Sequence, residues 1–395
     1  MSVEFEKITV IGAGAMGRGI AQVAVQAGSE VRLYDTQPEQ AEAAQAFVAK
    51  MLHRAAEKER MSAEDAEQAI ARIEVVGILE EAADADLVVE AIVENPEIKQ
   101  QLFRTLESVV SPECVLASNT SSLSVTRIAA GCERPERVAG YHFFNPVPLM
   151  RVVEVVRAQH TSESVIRRLC AYTKQFGHTP VIAEDSPGFL VNHAGRGFTT
   201  EGLRILQEGI AEPVDVDRVM REAAGFRMGP FELLDLTGLD VSVPVMEQIY
   251  GQFFQEPRFR PTPLAVRRFA AGMLGRKVGE GFYRYPDGQQ GVPLEPPAPE
   301  HTGGPVWVSP ENPEGAALVR EVLEKIGVTP ESGERPSDDA LCLVTPLGAD
   351  TTTTALAQSL DPECTVAVDV LFGFDGRRTL MGAPTLRSEY RNQAH

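Results

Sequence analysis

The segment Lys7–Gly28 constrains the fold more than any other. Its apolar run KITVIG passes straight into Gly12-Ala13-Gly14-Ala15-Met16-Gly17. A helical stripe of Met16, Ile20, Val23 and Ala27 follows, then a second strand-like run over 30–35. This is the pattern of a βαβ unit. Gly12 permits a tight turn, Gly14 lets the backbone approach a pyrophosphate, and Gly17 allows close helix–strand packing. The helix N-terminus adds N–H groups and a positive dipole end. Asp35 ends the second strand, 18 positions after Gly17. Its carboxylate suits the ribose hydroxyls and repels a 2′-phosphate, so the spacing predicts NAD rather than NADP. A tight turn beside a surface aspartate is the bland alternative, and the strand–loop–helix context disfavours it.

The pattern continues along the chain. Thr36-x-x-Glu39 predicts a capping box opening a helix through about Glu59, and Ser62-x-x-Asp65 opens another through about Ile73. The two form a helical hairpin inserted after the second strand. Strands are predicted over 86–94, 114–120 and 138–144, with helical patterns at 97–110 and 123–130. From Asp185 the character changes. Ser186-Pro187-Gly188-Phe189 opens a largely helical region to about Phe269, closed by LGRKVGEGFYRY over 274–285. Residues 286–304 are rich in Pro and Gly and read as a linker.

A weak internal repeat follows. SPECVLASN (111–119) returns as DPECTVAVD (361–369), and ADADLVVEAIVEN (83–95) as SDDALCLVTPLGAD (337–350). PVWVSPENPEGAALVREVLEKIG (305–327) stands where a first strand and helix belong, and the sole tryptophan, Trp307, lies in it. Matching blocks in the same order favour duplication over chance. The second copy lacks the glycine pattern. The chain ends at Arg391–His395, about where the first copy passes into its helical region, so a truncated copy is expected. The expected fold is α/β: a Rossmann-like dinucleotide-binding domain with a helical-hairpin insertion over 1–184, an all-α domain over 185–285, the linker over 286–304, and a partial degenerate Rossmann-like repeat over 305–395.

Composition narrows the partners. Fifty-six acidic against 37 basic residues give a net charge of −19. That argues against nucleic acid or an anionic membrane, which need a basic footprint. Cys114, Cys132, Cys170, Cys342 and Cys364 are an odd number with no Cys-x-x-Cys. Neither a disulfide framework nor a metal site is expected, and a reducing compartment fits. The N-terminus carries no apolar signal region, and no run approaches the roughly 20 apolar residues of a membrane span. The expectation is a cytoplasmic protein.

Two groups stand where apolar surroundings should not tolerate them. In VAGYHFFNPVPLMRVVEVV (138–156), His142 lies in one apolar run and Glu154, 12 residues later, in the next. A buried carboxylate needs a partner. The pair is either a core histidine satisfied by an acid or a general base held by its orienting carboxylate. The Asn145-Pro146 turn and a nearby polar cluster tip the balance toward catalysis. That cluster, Ser118-Asn119-Thr120-Ser121-Ser122, ends a strand and opens a helix, so one member is expected to be an N-cap. Such side chains at the carboxyl end of a strand also lie where open α/β sheets bind ligands. Asn192, early in the helix expected from Pro187, and Lys58, on a charged helix end, are by themselves ordinary surface positions. Arg196, Arg204 and Arg227 likewise read as surface or structural charges.

Taken together, GAGAMGRGIAQVAVQAG, DLVVEAIVEN, ASNTSSL, HFFNPVPLM, SPGFLVN, MGPFELLDLTGLD and GRKVGEGFYRY resemble the NAD-dependent L-3-hydroxyacyl-CoA dehydrogenases, in unbroken order from about 7 to 285. The resemblance implies oxidation of (S)-3-hydroxyacyl-CoA to 3-oxoacyl-CoA, an acyl-CoA thioester as substrate, and a homodimer through the helical domain. It implies that His142 is the base, Glu154 its orienter, and Ser121 and Asn192 the residues that hold the substrate oxygens. It places Asn119, Asn145, Glu94, Lys99, Ser121 and Lys277 at the cofactor and Lys58 at a coenzyme A phosphate. The part after 300 resembles a degenerate second copy in longer bacterial members, some linked to phenylacetate breakdown. Two positions depart from the family: Met51, where a hydroxyl toward coenzyme A is available in relatives, and His193, where arginine is frequent. The rivals are a dehydrogenase of a free 3-hydroxy acid and a non-catalytic NAD-binding protein.

Overall fold

A computed structural model describes residues 3–294, 303–370 and 381–382. The chain divides into two compact units between Ala194 and Gly195. In the first, β1 (Lys7–Ile11) leads through the glycine loop to α1 (Ala15–Ala27) and β2 (Glu30–Tyr34). The hairpin α2 (Pro38–Glu57) and α3 (Ala63–Ile70) follows, then β3 (Ile73–Val75), β4 (Leu87–Glu90), α4 (Pro96–Val109), β5 (Val115–Ser118) and α5 (Val125–Ala129). β6 (Val138–Phe143), β7 (Val152–Arg157), α6 (Glu163–Gln175) and β8 (Thr179–Glu184) complete it.

These strands form one eight-stranded sheet in the order β3-β2-β1-β4-β5-β6-β7-β8. All neighbours run parallel except β6 and β7. Both faces are covered, as a mostly parallel sheet requires. Ile8 and Val10 face a core shared with α1, α2, α3 and α6, while Ile11, Val88 and Leu116 face one shared with α4 and α5.

Local chemistry shifts several expected boundaries. Thr36 does not cap α2: Gln37 is the N-cap and Pro38 the first helical residue, while the Asp35 carboxylate takes the Gln37 N–H. Proline suits that place because its fixed φ and missing N–H cost nothing in the first turn. Ser62 does cap α3, accepting the Asp65 N–H at 3.0 Å. The cap of α5 is Ser124, outside the 118–122 cluster, because Asp185 supplies further acceptors to Ser124, Val125 and Thr126 and draws the helix start later. The helix expected from Pro187 begins at Val191, after a turn in which Gly188 and Phe189 take positive φ. Strands β3 and β8 went unread. β3 has three residues, and β8 is an edge strand carrying Pro180; both give little periodicity.

The second unit contains most of α7 (Val191–Gln207), then α8 (Pro213–Glu222), α9 (Pro230–Thr237), α10 (Leu239–Gln252) and α11 (Pro263–Ala270). Leu203, Phe231, Leu234, Leu239, Val243 and Met246 form the core of this helical part. Next come β9 (Val306–Val308), α12 (Pro313–Lys325), β10 (Leu341–Val344), α13 (Thr351–Ala357), β11 (Thr365–Val368) and β12 (Met381–Gly382), in a sheet ordered β12-β11-β10-β9. β9, β10 and β11 are parallel neighbours, the arrangement of β1, β4 and β5. Residues 295–302 of the linker and Arg391–His395 lie outside the described residues.

Asp217 on α8 pins the helical part. Its buried carboxylate accepts the N–H groups of Phe231 and Glu232 at 2.9 Å and the Tyr283 hydroxyl at 2.6 Å. Asp217→Ala strands three donors in the core. It is expected to cost about 3 kcal/mol or more, read as a lower urea midpoint at an unchanged slope.

Candidate active site

The antiparallel register of β6 and β7 sets His142 directly opposite Glu154. Directly opposed residues project from the same face of a sheet, so the two side chains meet. His142 Nδ1 lies 2.6 Å from Glu154 Oε2, with the residues 4% and 0% exposed. A carboxylate only accepts, so Nδ1 carries the hydrogen, and Nε2 is the nitrogen that bears the lone pair in the neutral ring. The other oxygen, Oε1, accepts the Leu190 and Val191 N–H groups, both at 2.9 Å, presented by the turn into α7. Burial pushes the Glu154 carboxyl up, but the His142 bond and then the backbone N–H groups outweigh it and hold it below the usual range. Phe144 and Phe189 flank the imidazole, with ring centroids 4.4 and 5.8 Å away.

The polar turn after β5 is gathered by Glu94. Its Oε1 accepts the Thr120 hydroxyl at 2.5 Å and the N–H groups of Ser121 and Ser122 at 3.0 and 3.3 Å. Burial pushes the Glu94 carboxyl up, but Lys99 and the Thr120 and Ser121 bonds hold it below the usual range. Asn119 Oδ1 accepts the Phe143 N–H at 2.9 Å, tying the turn to β6 beside His142. Asn192 Nδ2 donates to the Ser121 carbonyl at 3.0 Å. His142, Glu154, Ser121 and Asn192 are thus linked through Asn119 and the start of α7.

The glycine loop fits a dinucleotide. Gly12 has φ 97°, and a Cβ there would lie 2.5 Å from the Ala91 carbonyl oxygen. A Cβ on Gly17 would lie 1.7 Å from the Gly12 oxygen, whereas one on Gly14 would meet nothing within 4 Å. The backbone at Gly14 is therefore open to a ligand. No side chain caps α1, so the N–H groups around Ala15 and Met16 are not taken by a capping residue. Asp35 accepts the Ala13 N–H at 2.8 Å and the Gln37 N–H at 3.0 Å. Each oxygen keeps capacity for a ribose hydroxyl.

Two other predicted positions, Lys58 and Asn145, make no bond in this network, and Lys99 joins it through Glu94. Lys58 is exposed at the C-cap of α2, and Asn145 is exposed on the turn after β6. Lys277 belongs to the second unit and pairs with Asp240. Lys99 is 1% exposed, with its ammonium 2.5 Å from Glu90 and 3.3 Å from Glu94. Ser118 belongs to the polar cluster already named, whereas Glu90 is not among the expected site residues although it is a charge in the apolar strand LVVE, the same signal that singles out Glu154. Among the described residues, no cluster of His, Cys, Asp or Glu could hold a metal ion and no helix is long and apolar enough to cross a membrane.

Two family models match the chain: the 3-hydroxyacyl-CoA dehydrogenase NAD-binding domain over residues 7–186 and the C-terminal domain of that family over 188–285. The chain belongs to the 3-hydroxyacyl-CoA dehydrogenase family. It is an NAD-dependent oxidoreductase, and NAD is the cofactor that its glycine loop fits. This dehydrogenase is 43% identical over 283 residues to the "Probable 3-hydroxybutyryl-CoA dehydrogenase" of Bacillus subtilis, covering 72% of this chain and 98% of that one. It is 41% identical to the 3-hydroxyadipyl-CoA dehydrogenase of Escherichia coli, covering 72% of this chain and 60% of that one. A crystal structure of 3-hydroxybutyryl-CoA dehydrogenase from Escherichia coli matches with a TM-score of 0.79 at 34% identity, over 99% of this chain and 77% of that one. That match extends through the second sheet.

Gly17→Ala forces α1 away from the loop and is expected to weaken NAD binding at least about tenfold in a calorimetric titration. Because the folded Glu154 carboxyl is held low, its contribution to stability is full above the ordinary glutamate value and is lost as pH falls through the lowered one. Glu154→Gln should therefore flatten the decline of stability below about pH 4, seen by denaturant unfolding across pH.

Proposed function

We propose that this dehydrogenase interconverts (S)-3-hydroxyacyl-CoA and 3-oxoacyl-CoA, with His142 as the general base. The observation that carries the reading is the buried His142–Glu154 pair at 2.6 Å, which leaves Nε2 basic. Nε2 takes the proton of the substrate 3-hydroxyl. Bound NAD⁺ would supply the acceptor for the hydride that leaves C3. Glu154 fixes the tautomer and stabilises the imidazolium that forms, and its two backbone donors keep it in place. Ser121 and Asn192 hold the reacting oxygen.

The Gly12–Gly17 loop holds the pyrophosphate and Asp35 the adenosine ribose. Glu94, Asn119, Asn145 and Lys277 border the cofactor, and Lys99 contributes through Glu94. Lys58 meets a coenzyme A phosphate. The working form is a cytoplasmic homodimer joined through the helical domain, with domains divided at about 184, 285 and 304. Relatives named for 3-hydroxybutyryl- and 3-hydroxyadipyl-CoA support a short or dicarboxylic acyl chain in fatty-acid, butanoate or phenylacetate-type catabolism.

His142→Gln is expected to keep NAD binding and lose about 10²–10⁴ in kcat, the usual worth of a placed general base. Near-normal turnover in that variant overturns the assignment. Steady-state rates with acetoacetyl-CoA, 3-oxoadipyl-CoA and free acetoacetate test the substrate class, and equal use of the free acid overturns the thioester.

A further inference from the structure

We infer that Glu90, Ser118 and Lys99 form a buried charge clamp that positions the Ser118–Ser122 turn against His142, so that Glu90 and Ser118 are positioning residues for hydride transfer. The inference rests on the reading of His142 as the base.

Glu90 ends β4 and Ser118 ends β5, paired residues at the carboxyl edge of the sheet. Glu90 and Lys99 are 0% and 1% exposed. Removing both charges from water is costly, and an apolar pair of similar volume often folds as well or better. A role in folding alone does not account for them. What they do is visible in their remaining bonds. Glu90 Oε2 accepts the Ser118 hydroxyl at 2.7 Å, and Ser118 Oγ in turn accepts the Thr120 N–H at 3.2 Å. The Glu90 carbonyl accepts the Asn119 N–H at 2.8 Å. Lys99 spans from Glu90 to Glu94, the carboxylate that gathers Thr120, Ser121 and Ser122. The turn is thus held from below by Glu90 and from its outer side by Glu94, with one ammonium fixing both acids.

The turn passes this position on at two points: Asn119 to the Phe143 N–H beside His142, and the Ser121 carbonyl to Asn192. Glu90 also accepts the Ile92 N–H at 2.7 Å, fixing the 91–92 segment on which Gly12 rests. One buried charge pair therefore sets the turn that carries Ser121 and braces the loop that holds the cofactor. A charge-assisted bond resists displacement more strongly than a neutral one. Misplacement of reacting groups by about 1 Å can cost about 10²-fold in rate.

The test uses the full chain with Glu90→Gln, Ser118→Ala and the double variant Glu90→Gln/Lys99→Met. Turnover is normalised to sites counted by stoichiometric NADH titration, alongside thermal unfolding and the pH–rate profile. Expected is a fall in kcat per site of at least about tenfold for Glu90→Gln and at least about threefold for Ser118→Ala. The pH profile should keep its limb, because the His142–Glu154 pair is untouched. The neutral double variant should regain thermal stability but not kcat. A merely structural clamp lowers the melting temperature and leaves turnover per site intact. That result, or full recovery of kcat in the double variant, overturns the inference. Ser118→Ala leaves no buried charge unpaired, so wild-type turnover in it is decisive if Glu90→Gln does not fold. The two readings fail separately: His142→Gln inactive with the clamp variants normal removes the clamp alone, whereas near-normal turnover of His142→Gln removes the base reading.

Discussion

A carboxylate with no exposure in the middle of a sheet decides how everything around it is built. Glu154 has two oxygens shielded from solvent, and the fold answers with three donors from two directions. One comes from the strand opposite, which fixes the β6–β7 register: a one-residue slip would turn His142 to the other face. Two come from the backbone at Leu190 and Val191, which fixes where α7 begins and explains the left-handed Gly188–Phe189 turn before it. Glu154, the register and the start of α7 are one structural unit, and the chemically useful result is a histidine with only one tautomer available.

The same device recurs. Asp35 takes two backbone N–H groups, Glu94 two, Asp185 two, Asp217 two and Asp235 two, each from a segment remote from itself or from a turn beside it. A carboxylate can satisfy paired orphan donors at a helix start or turn without a dedicated capping residue there. This gives the excess of acid a structural use inside the protein. It also explains why the loops near the site keep defined shapes: Asp35 holds the glycine loop, Glu94 the Ser118–Ser122 turn and Glu154 the start of α7. Three acids define three walls of the first unit's polar edge.

Much of this is legible in the residues, for specific reasons. The βαβ unit announces itself because glycine spacing, apolar periodicity and the later acid all report one geometry. His142 and Glu154 announce themselves because charge in an apolar strand is expensive. Glu90 carries the same signal, but LVVEAIVE has two acids in reach of one lysine, and spacing does not tell which of them is buried. The start of α5 is not legible locally because one of its acceptors sits far along the chain. Asp185 lies 61 residues from the Ser124 it bonds, and no local window contains both. The edge strand β8 is not legible because Pro180 and an exposed Ile182 break the alternation that marks a strand.

The second sheet shows which part of a glycine loop serves packing and which serves a ligand. After β9 the chain reads Ser309-Pro310-Glu311-Asn312-Pro313, where the loop after β1 has glycines. Asn312 caps α12 by accepting the Gly315 N–H and bonds the Thr345 carbonyl, so the turn satisfies itself. Pro310 and Pro313 remove two N–H donors, and Glu311 puts negative charge where a pyrophosphate would need the opposite. Yet one glycine remains: a Cβ on Gly315 would lie 2.6 Å from Thr345 Oγ1, much as one on Gly17 would strike Gly12. Close helix–strand approach recurs because both sheets pack a helix on parallel strands. The demands for an open backbone and free donors do not survive, because they belong to phosphate recognition and not to the fold. Strand order and the packing glycine therefore belong to the architecture, whereas the open backbone at Gly14 and the uncapped start of α1 belong to cofactor binding.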